Sequence, residues 1–272
     1  MNKEKHLSFS QINTFNSCPQ KYKIIYIDKI KNKHESIESF LGKVVHETLE
    51  WIYEEKLDYY IWDNIENKYY EIWNNRWHDK IFLAIVKSQY SKEYFKRLGL
   101  EYVRNYYNNN GGPNIDFNSV FGIEVPVEVK IGEYNFKGIV DRIDIDDDCI
   151  NIHDYKTGKP KTKQQLLDDL QLIIYLLALK EKRKYVDNQI ILNWHFLKEK
   201  SKLKQHIIIK HKEDDIKNLK ESIIRQALKI EDAIKNKKFA PKSSFLCNWC
   251  YYWDQCDEKK IYNEINPAIN LE

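Results

Sequence analysis

The chain of 272 residues lacks an apolar run that approaches the length of about 20 residues needed to span a bilayer. Its first ten residues, MNKEKHLSFS, also lack the apolar core of a secretory signal. Internal repeats and low-complexity linkers are absent from the sequence. With 42% hydrophobic and 31% charged residues, the composition is typical of a globular protein. We expect a cytoplasmic protein with no membrane partner, built as one large domain or a core with a helical insertion.

The chain also lacks a strong net charge, since 44 Lys and Arg residues against 41 Asp and Glu residues leave only +3. Net charge therefore does not indicate nucleic-acid binding. Residues 196–238 differ, with thirteen basic and seven acidic residues. A segment of this kind can neutralise phosphates. A solvated helix face plus a charged hairpin explains the same count, and charge alone favours that interpretation.

Cysteine is scarce, with five residues in the chain, and a reducing cytosol argues against a disulfide framework. Three of the five lie close together near the C-terminus, at Cys247, Cys250 and Cys256. Cys18 lies near the N-terminus and Cys149 in the middle of the chain. Thiolates grouped in this way are ligands for zinc or for iron–sulfur clusters.

Hydrophobic periodicity predicts a helical first half and a strand-rich second half. Helices are predicted over residues 11–17, 37–56, 60–78, 90–108, 163–183 and 214–237, with a short helix or an extended stretch over 21–30. Strands are predicted over 120–131, 134–145, 149–156, 189–197 and 204–210. The first three strands are separated only by the turns Gly132-Glu133 and Asp146-Asp147-Asp148, which predicts an antiparallel meander. We divide the chain into segments 1–36, 37–118, 119–240 and 241–272 of one structural unit.

Charged residues interrupt the apolar rows of the second and third predicted strands. Residues on one face of each strand, at every second position, are Ile139, Asp141, Ile143 and Ile145, and Ile150, Ile152, Asp154 and Lys156. Burying such charges costs several kcal/mol each unless they are paired or bind a metal. Neighbouring strands bring the two carboxylates close together, where repulsion raises a pKa unless a cation lies between them. Cys149, on the face opposite Asp154, is interpreted as an ordinary buried thiol.

These groups suit a hard divalent cation, because Mg²⁺ and Mn²⁺ prefer carboxylates, carbonyl oxygens and waters. Asp141 and Asp154 can supply carboxylates, and the Tyr155 backbone carbonyl can add a neutral oxygen. Lys156 projects to the same side, where it can orient a metal-activated water or stabilise a phosphate in the transition state. For Asp-x-Lys alone, a salt bridge at the ends of two strands is the commoner explanation.

The wider pattern resembles the PD-(D/E)xK nucleases, in particular the RecB-like branch that includes helicase-associated and CRISPR-associated adaptation nucleases. Gly138-Ile-Val-Asp141 is similar to the G-x-x-D strand of that branch, and Asp154-Tyr-Lys156-Thr-Gly158 to its D-x-K-T-G strand. The resemblance implies a restriction-endonuclease-like α/β fold, in which a central mixed sheet is flanked by helices. Segment 119–240 would be the nuclease core, preceded by a helical region and followed by the cysteine tail.

Two helical motifs extend the resemblance. Gly42 and His46 lie one turn apart on the helix over 37–56, and Gln171 and Tyr175 match a Q-x-x-x-Y helix motif. The resemblance implies that His46 is a further metal ligand, and that Gln171 and Tyr175 organise the active site and touch the substrate backbone. A hydrogen-bonded histidine at a helix–sheet contact, and core packing of Tyr175, are the structural alternatives.

The cysteines also fit the iron–sulfur members of this branch. Cys18-Pro19 follows Ser8-Phe-Ser10, as at the N-terminus of that branch, and Cys247, Cys250 and Cys256 complete a set of four. The resemblance implies a 4Fe–4S cluster that fastens the two chain ends together. A four-cysteine zinc site is the alternative, although zinc ribbons usually pair two C-x-x-C knuckles and this chain has one.

Together these features predict a metal-dependent DNase, an exonuclease acting on single-stranded DNA or DNA ends. A helicase or CRISPR adaptation proteins are the expected partners. Aromatic residues between positions 51 and 107 can stack on bases, although packing among helices explains most of them equally well. A non-catalytic DNA-binding or scaffold subunit and a nuclease acting on RNA are the alternatives.

Overall fold

The structure, a computed structural model, describes residues 5–31, 34–55, 61–146, 149–181, 189–259 and 268–270. The helices are α1 (Phe9–Ser17), α2 (Pro19–Tyr22), α3 (Ile37–Glu55), α4 (Trp62–Arg76), α5 (Lys92–Asn109), α6 (Lys163–Leu167), α7 (Leu170–Lys180), α8 (Lys202–Gln205) and α9 (Glu213–Lys235). The strands are β1 (Lys5–Ser8), β2 (Glu35–Ser36), β3 (Ile81–Ala84), β4 (Val120–Ile131), β5 (Tyr134–Ile145), β6 (Cys149–Lys156), β7 (Gln189–Phe196), β8 (His206–Ile209) and β9 (Ala268–Asn270). None of the described helices combines the length and apolar character that crossing a membrane requires.

The central sheet is mixed. β4, β5 and β6 form the predicted antiparallel meander, β6 and β7 are parallel, and β8 returns antiparallel to β7. Gly132 forms the first turn of the meander with a φ of +63°, a left-handed conformation that favours glycine. β1 adds a parallel neighbour to the start of β5. A separate small sheet has the order β2-β3-β9.

Helices cover the sheet on both faces, because each face carries apolar side chains that must be kept from water. On one side α1, α7 and α9 pack over a core that includes Phe136, Ile152 and Trp194. On the other side α3, α4 and α5 form a second core that reaches the sheet at Tyr155 and Leu197. This mixed sheet flanked by helices confirms the predicted fold class. The segment boundaries at 36, 118 and 240 stay predictions.

Several local predictions are wrong. The helix predicted over 163–183 is two helices, because the Asp169 side chain accepts a hydrogen bond from the Gln171 amide at 2.9 Å and starts α7 anew. The strand predicted over 204–210 is shorter, since residues 202–205 form the helical turn α8. β1 and β3 were not predicted. The described residues exclude Asp147 and Asp148 of the second predicted turn. They also exclude the last residue of the helix predicted over 37–56, the first residue of the helix predicted over 60–78 and the last two residues of the helix predicted over 163–183.

The predicted burial of β5 is also partly wrong. Ile139 is 52% exposed, whereas its neighbour Val140 is fully buried. Ile143, in the same predicted row, is only 1% exposed, so the row changes face between Ile139 and Ile143. Glu124 of β4 lies opposite this stretch, beside Asp141, and its φ of +47° is in the left-handed region. On β6 the predicted row holds better, with Ile150, Ile152 and Asp154 all buried.

Cys149 is not the buried thiol that was predicted. It is half-buried, and its Sγ lies 3.7 Å from Asp146 Oδ2 near the turn that precedes β6. Its position as the first residue of β6 is the physical reason, because a strand end leaves a side chain partly open to water.

Candidate active site

The candidate site lies where two strands part along one edge of β5. β4 occupies the other edge, while β1 pairs with residues 134–137 and β6 with residues 142–145. Residues 138–141 between them have no strand neighbour on this edge within the described chain. Here the Tyr155 amide donates to Asp141 Oδ2 at 2.7 Å, so a side chain takes the place of a ladder hydrogen bond. The parting of the strands makes room for polar side chains that a closed ladder would exclude.

Lys156 lies beside Asp154, as the alternation of β6 predicted. Its Nζ donates to Asp154 Oδ1 at 3.0 Å and lies 2.7 Å from Oδ2, a contact without hydrogen-bond geometry. A further bond of 3.0 Å to Gln171 Oε1 fixes the ammonium from the side of α7. Burial lowers the pKa of Lys156, but the charge and hydrogen bond of Asp154 outweigh this and raise it. The ammonium is therefore held charged at the carboxylate.

His46 reaches the same place from α3. Its Nε2 lies 2.9 Å from the Tyr155 carbonyl oxygen, and its Nδ1 lies 3.6 Å from Asp141 Oδ2. Burial lowers the pKa of His46, which favours the neutral imidazole that metals bind. Helix and strand approach closely nearby, because a Cβ on Gly42 would lie only 3.4 Å from Thr157 Oγ1. The structure thus brings His46, Asp141 and the Tyr155 carbonyl together.

Gln171 and Tyr175 line the other side of Lys156. Gln171 Nε2 donates to the Tyr175 hydroxyl at 3.2 Å, which aligns the amide oxygen with the lysine. The Tyr175 ring lies against the backbone of β5, where a Cβ on Gly138 would meet it at 2.4 Å. The glycine of the G-x-x-D motif is therefore required by the close approach of this ring.

The pocket holds more negative charge than its own cations neutralise. Burial raises the pKa of Asp141 well above its ordinary value, and the neighbouring Asp154 raises it further. Burial, with Glu124 and Asp141, also raises the pKa of Glu50 to about 7. Like charges in a partly dry pocket repel strongly, and a bound dication is one way to relieve that repulsion.

The donor set is compatible with Mg²⁺ or Mn²⁺, since two carboxylates, an imidazole and a carbonyl oxygen lie around one opening. As the side chains stand, no three His, Cys, Asp or Glu residues of the described ranges are arranged as a ready-made metal site. Asp141 is engaged by the Tyr155 amide and Asp154 by Lys156. A cation would have to share these oxygens.

Sequence reasoning missed Glu124, which enters the pocket from β4. It lies opposite Asp141, since its neighbours Ile123 and Val125 pair with Arg142 and Val140. In the sequence it is one of several polar residues that alternate with an apolar row, so nothing marked it out. Its left-handed φ of +47° is visible only in the structure.

A second polar group lies on the opposite side of the sheet, behind the candidate site. This rear cluster consists of Arg142, Asp144, His153, Tyr106 and Tyr155. Arg142, only 5% exposed, donates from Nη1 to both tyrosine hydroxyls at 2.9 Å. Its Nε lies 2.9 Å from Asp144 Oδ1, an ion pair without hydrogen-bond geometry, and its Nη2 lies 3.0 Å from His153 Nδ1. None of these side chains was predicted from the sequence to have a role.

Two further histidines extend the rear cluster as a stack. His153 Nδ1 lies 2.9 Å from His195 Nε2, and the His195 and His206 rings stack at 4.5 Å. Burial lowers the pKa of His153 to about 4, assisted by the charge of Arg142. Burial likewise lowers the pKa of His195 well below its ordinary value. His153 and His195 are therefore neutral at pH 7 in the folded protein.

The four cysteines predicted to bind a cluster line one cavity of ≈ 160 Å³, formed by residues 17–21 and 241–259. The Lys242 amide donates to Cys18 Sγ at 3.4 Å, and the Ser244 amide donates to Cys247 Sγ at 3.4 Å. Burial raises the pKa of the Cys250 thiol, and the neighbouring Cys247 and Cys18 add to the shift. The four thiols line one space, but as they stand no three of these described residues are arranged to hold a metal ion, and their ligand remains a prediction.

The sequence model of the PD-(D/E)XK nuclease superfamily matches residues 6–257. A provisionally assigned exonuclease from Eubacterium rectale, known from a crystal structure, has a similar fold. Its TM-score is 0.52 at 11% identity, over 97% of this chain and 90% of that one, so the likeness shows the fold alone. SSO0001 shares 17% identity over 89% of this chain and 95% of its own, but its TM-score of 0.30 supports no argument. No curated relative matches the chain.

Proposed function

Because this chain belongs to the PD-(D/E)XK nuclease superfamily, we propose that it is a divalent-metal-dependent DNase that hydrolyses phosphodiester bonds. The observation that carries the proposal is the meeting of Asp141, Asp154 and Lys156 where β5 and β6 part. An excess of buried carboxylate charge suits a cation rather than a purely structural ion pair. Single-stranded DNA or DNA ends, attacked as by an exonuclease, are the proposed substrate.

In this proposal His46, Asp141, Asp154 and the Tyr155 carbonyl hold one or two Mg²⁺ or Mn²⁺ ions. A metal bound there supplies charge neutralisation and an activated water. Lys156 stays protonated beside Asp154 and donates to oxygen atoms that gain negative charge in the transition state. Gln171 keeps that ammonium in place through its amide oxygen, and Tyr175 keeps Gln171 in place.

Lys156→Ala should reduce cleavage of end-labelled single-stranded DNA in Mn²⁺ by about a thousandfold or more, because it removes a preorganised charge. Lys180→Ala is the matched control, since Lys180 on α7 also pairs with a carboxylate, Glu213, but lies outside the pocket. The control variant should cleave at the wild-type rate. Equal rates for all three proteins would remove the site from the mechanism.

A non-catalytic DNA-binding or scaffold subunit is the second candidate, and a nuclease acting on RNA the third. Calorimetric titration with Mn²⁺ distinguishes the DNase from the non-catalytic subunit. An inert subunit should show no Mn²⁺ binding that Asp154→Ala abolishes. Parallel digestion of DNA and RNA of one sequence separates the DNase from the ribonuclease. A helicase or CRISPR adaptation proteins are the proposed partners.

We further propose that Cys18, Cys247, Cys250 and Cys256 hold a 4Fe–4S cluster, with zinc as the alternative. Support comes from the cavity that all four line and from the Gln20 side chain, which donates to the Gln255 carbonyl at 3.1 Å and joins the two chain ends. Such a link closes a very long loop, where chain entropy predicts a large stabilisation. Iron should be present after anaerobic purification, lost in Cys250→Ser and kept in Cys149→Ser. Zinc without iron would reject the cluster.

A further inference from the structure

A cavity of ≈ 590 Å³ opens beside the proposed catalytic residues. His46 and Asp141 line it, and so do Lys43 from α3 and Arg76, the last residue of α4. Arg76 belongs to the part of the helical region that matched no motif in the sequence. Because Arg76 lines this cavity, the helical region lies next to the proposed catalytic residues.

The cavity is strongly acidic, which is a difficulty for a substrate that is itself an anion. Its lining includes five carboxylates: Glu38, Glu47, Glu50, Glu124 and Asp141. Among the described lining residues, only Lys43 and Arg76 carry a permanent positive charge. A phosphodiester strand approaching here meets repulsion, so its phosphates gain most from contact with these two side chains.

Both cations are available to a strand. Lys43 and Arg76 have side chains that are 58% and 48% exposed, and they pair with Glu35 at 2.8 Å and with Glu47. Ion pairs near the surface contribute little to stability, so Arg76 can exchange Glu47 for a phosphate at small cost. Glu35 is only 14% exposed, but it keeps the Ser39 hydroxyl at 2.7 Å and His78 Nε2 at 3.6 Å when Lys43 turns to a phosphate. The guanidinium of Arg76 can engage a phosphate with two parallel hydrogen bonds, whereas Lys43 offers a point charge.

We propose that Lys43 and Arg76 bind phosphates of the substrate strand that flank the scissile bond, and so position the strand in the cavity. This inference rests on the proposed nuclease function. It adds a role in substrate binding for Arg76, the last residue of α4. Lys43 lies about one turn before His46 on α3, which places both on the same side of that helix. A strand held by the two cations would therefore pass the catalytic residues.

The test is equilibrium binding of a fluorescent single-stranded oligonucleotide in Ca²⁺ at several salt concentrations, with cleavage measured in Mn²⁺. Each lost phosphate contact lowers the slope of log K against log salt by about 0.7 for a single strand. Arg76→Ala should weaken binding about tenfold with that change in slope, raise KM by a similar factor and leave kcat within about threefold. Arg76→Lys should keep the wild-type slope. The double variant Arg76→Ala with Lys43→Ala should lower the slope by about twice as much as Arg76→Ala alone.

Arg225→Ala is the matched control, because Arg225 on α9 is also exposed and paired with a carboxylate, Glu221. It should match the wild type in slope and affinity. If the wild type cleaves DNA and Arg76→Ala retains its slope and KM, this inference is overturned while the proposed function stands. A wild-type chain that neither binds nor cleaves DNA overturns both.

Discussion

Neighbouring residues on β5 and β6 build two polar groups on opposite sides of the same sheet. Asp141 and Asp154 face the candidate pocket, whereas Arg142 and His153, their direct neighbours in the chain, belong to the rear cluster. The rear cluster pairs its buried guanidinium with a carboxylate and two hydroxyl groups. The pocket instead leaves its carboxylates close together with one ammonium. One group is balanced in charge and the other is not.

Two aspartates show the difference most directly. Asp141 and Asp144 lie three residues apart on one strand, yet their pKa values shift in opposite directions. Burial and Asp154 raise the pKa of Asp141. Burial also opposes ionisation of Asp144, but contacts with His153 and Arg142 lower its pKa. Partners, rather than depth in the protein, decide which buried charge stabilises the fold and which is left to bind a ligand.

The largest effect should come from Asp141→Asn. We expect cleavage to fall by about a thousandfold or more, because a carboxylate is lost from the proposed metal site. The free energy of unfolding in EDTA should instead rise by about 1 kcal/mol, since the repulsion with Asp154 disappears while Asn can still accept from the Tyr155 amide. Urea unfolding at neutral pH measures this.

Asp144→Asn provides the contrast for that measurement. It removes a carboxylate that is ion-paired with Arg142 at 2.9 Å and lies 3.0 Å from His153 Nε2, so this variant should be less stable than the wild type. If both variants shift stability in the same direction, the two sides of the sheet do not differ as described.

A smaller but still large effect is expected from Arg142→Met. Removing one partner of a buried ion pair costs about 3–5 kcal/mol, because it leaves Asp144 buried without its cation. Arg225→Met is the control, since that arginine is 62% exposed and its loss should change stability by less than about 0.5 kcal/mol. Urea unfolding in EDTA compares the two. Equal stability for Arg142→Met and the wild type would show that the ion pair of the rear cluster does not stabilise the fold.

These contrasts also explain how far the sequence could predict the molecule. The bounds of β4, β5 and β6 match the predicted strands, because alternation and the Gly132 turn are local signals. β1 was missed because it is four residues long and its partner on β5 lies well over a hundred residues away. Pairings of that kind leave no periodic trace in a short segment.

The candidate site shows the same contrast between local patterns, which could be predicted, and long-range contacts, which could not. Asp141, Asp154 and Lys156 could be predicted because charges interrupted an apolar row. The rear cluster could not be predicted, because Arg142 contacts Tyr106 only when α5 packs against the sheet. No local sequence pattern indicates that contact. Arg76 was missed for the same reason, since a helix end gives no sign of the cavity it will border.

The smallest effect is the contribution of His153, in the rear cluster, to the pH dependence of stability. Burial and Arg142 lower the pKa of His153 to about 4, so the folded protein keeps this ring neutral. The unfolded chain takes up the proton near the ordinary value of about 6.5. Between pH 7 and pH 5 the unfolded state therefore binds more protons, and stability should fall by about 2 kcal/mol from His153.

His153→Gln isolates this contribution, because glutamine keeps hydrogen-bonding groups near Arg142 but does not titrate. The free energy of unfolding in EDTA, measured at pH 7 and pH 5, should change less in this variant than in the wild type. Raised carboxyl pKa values in the candidate pocket act in the opposite direction, since they favour the folded state as the pH falls. Because both proteins retain that pocket, its contribution cancels in the difference between them. An unchanged pH dependence would mean that the histidine takes up its proton in the folded chain, and that the rear cluster tolerates charge as the pocket does.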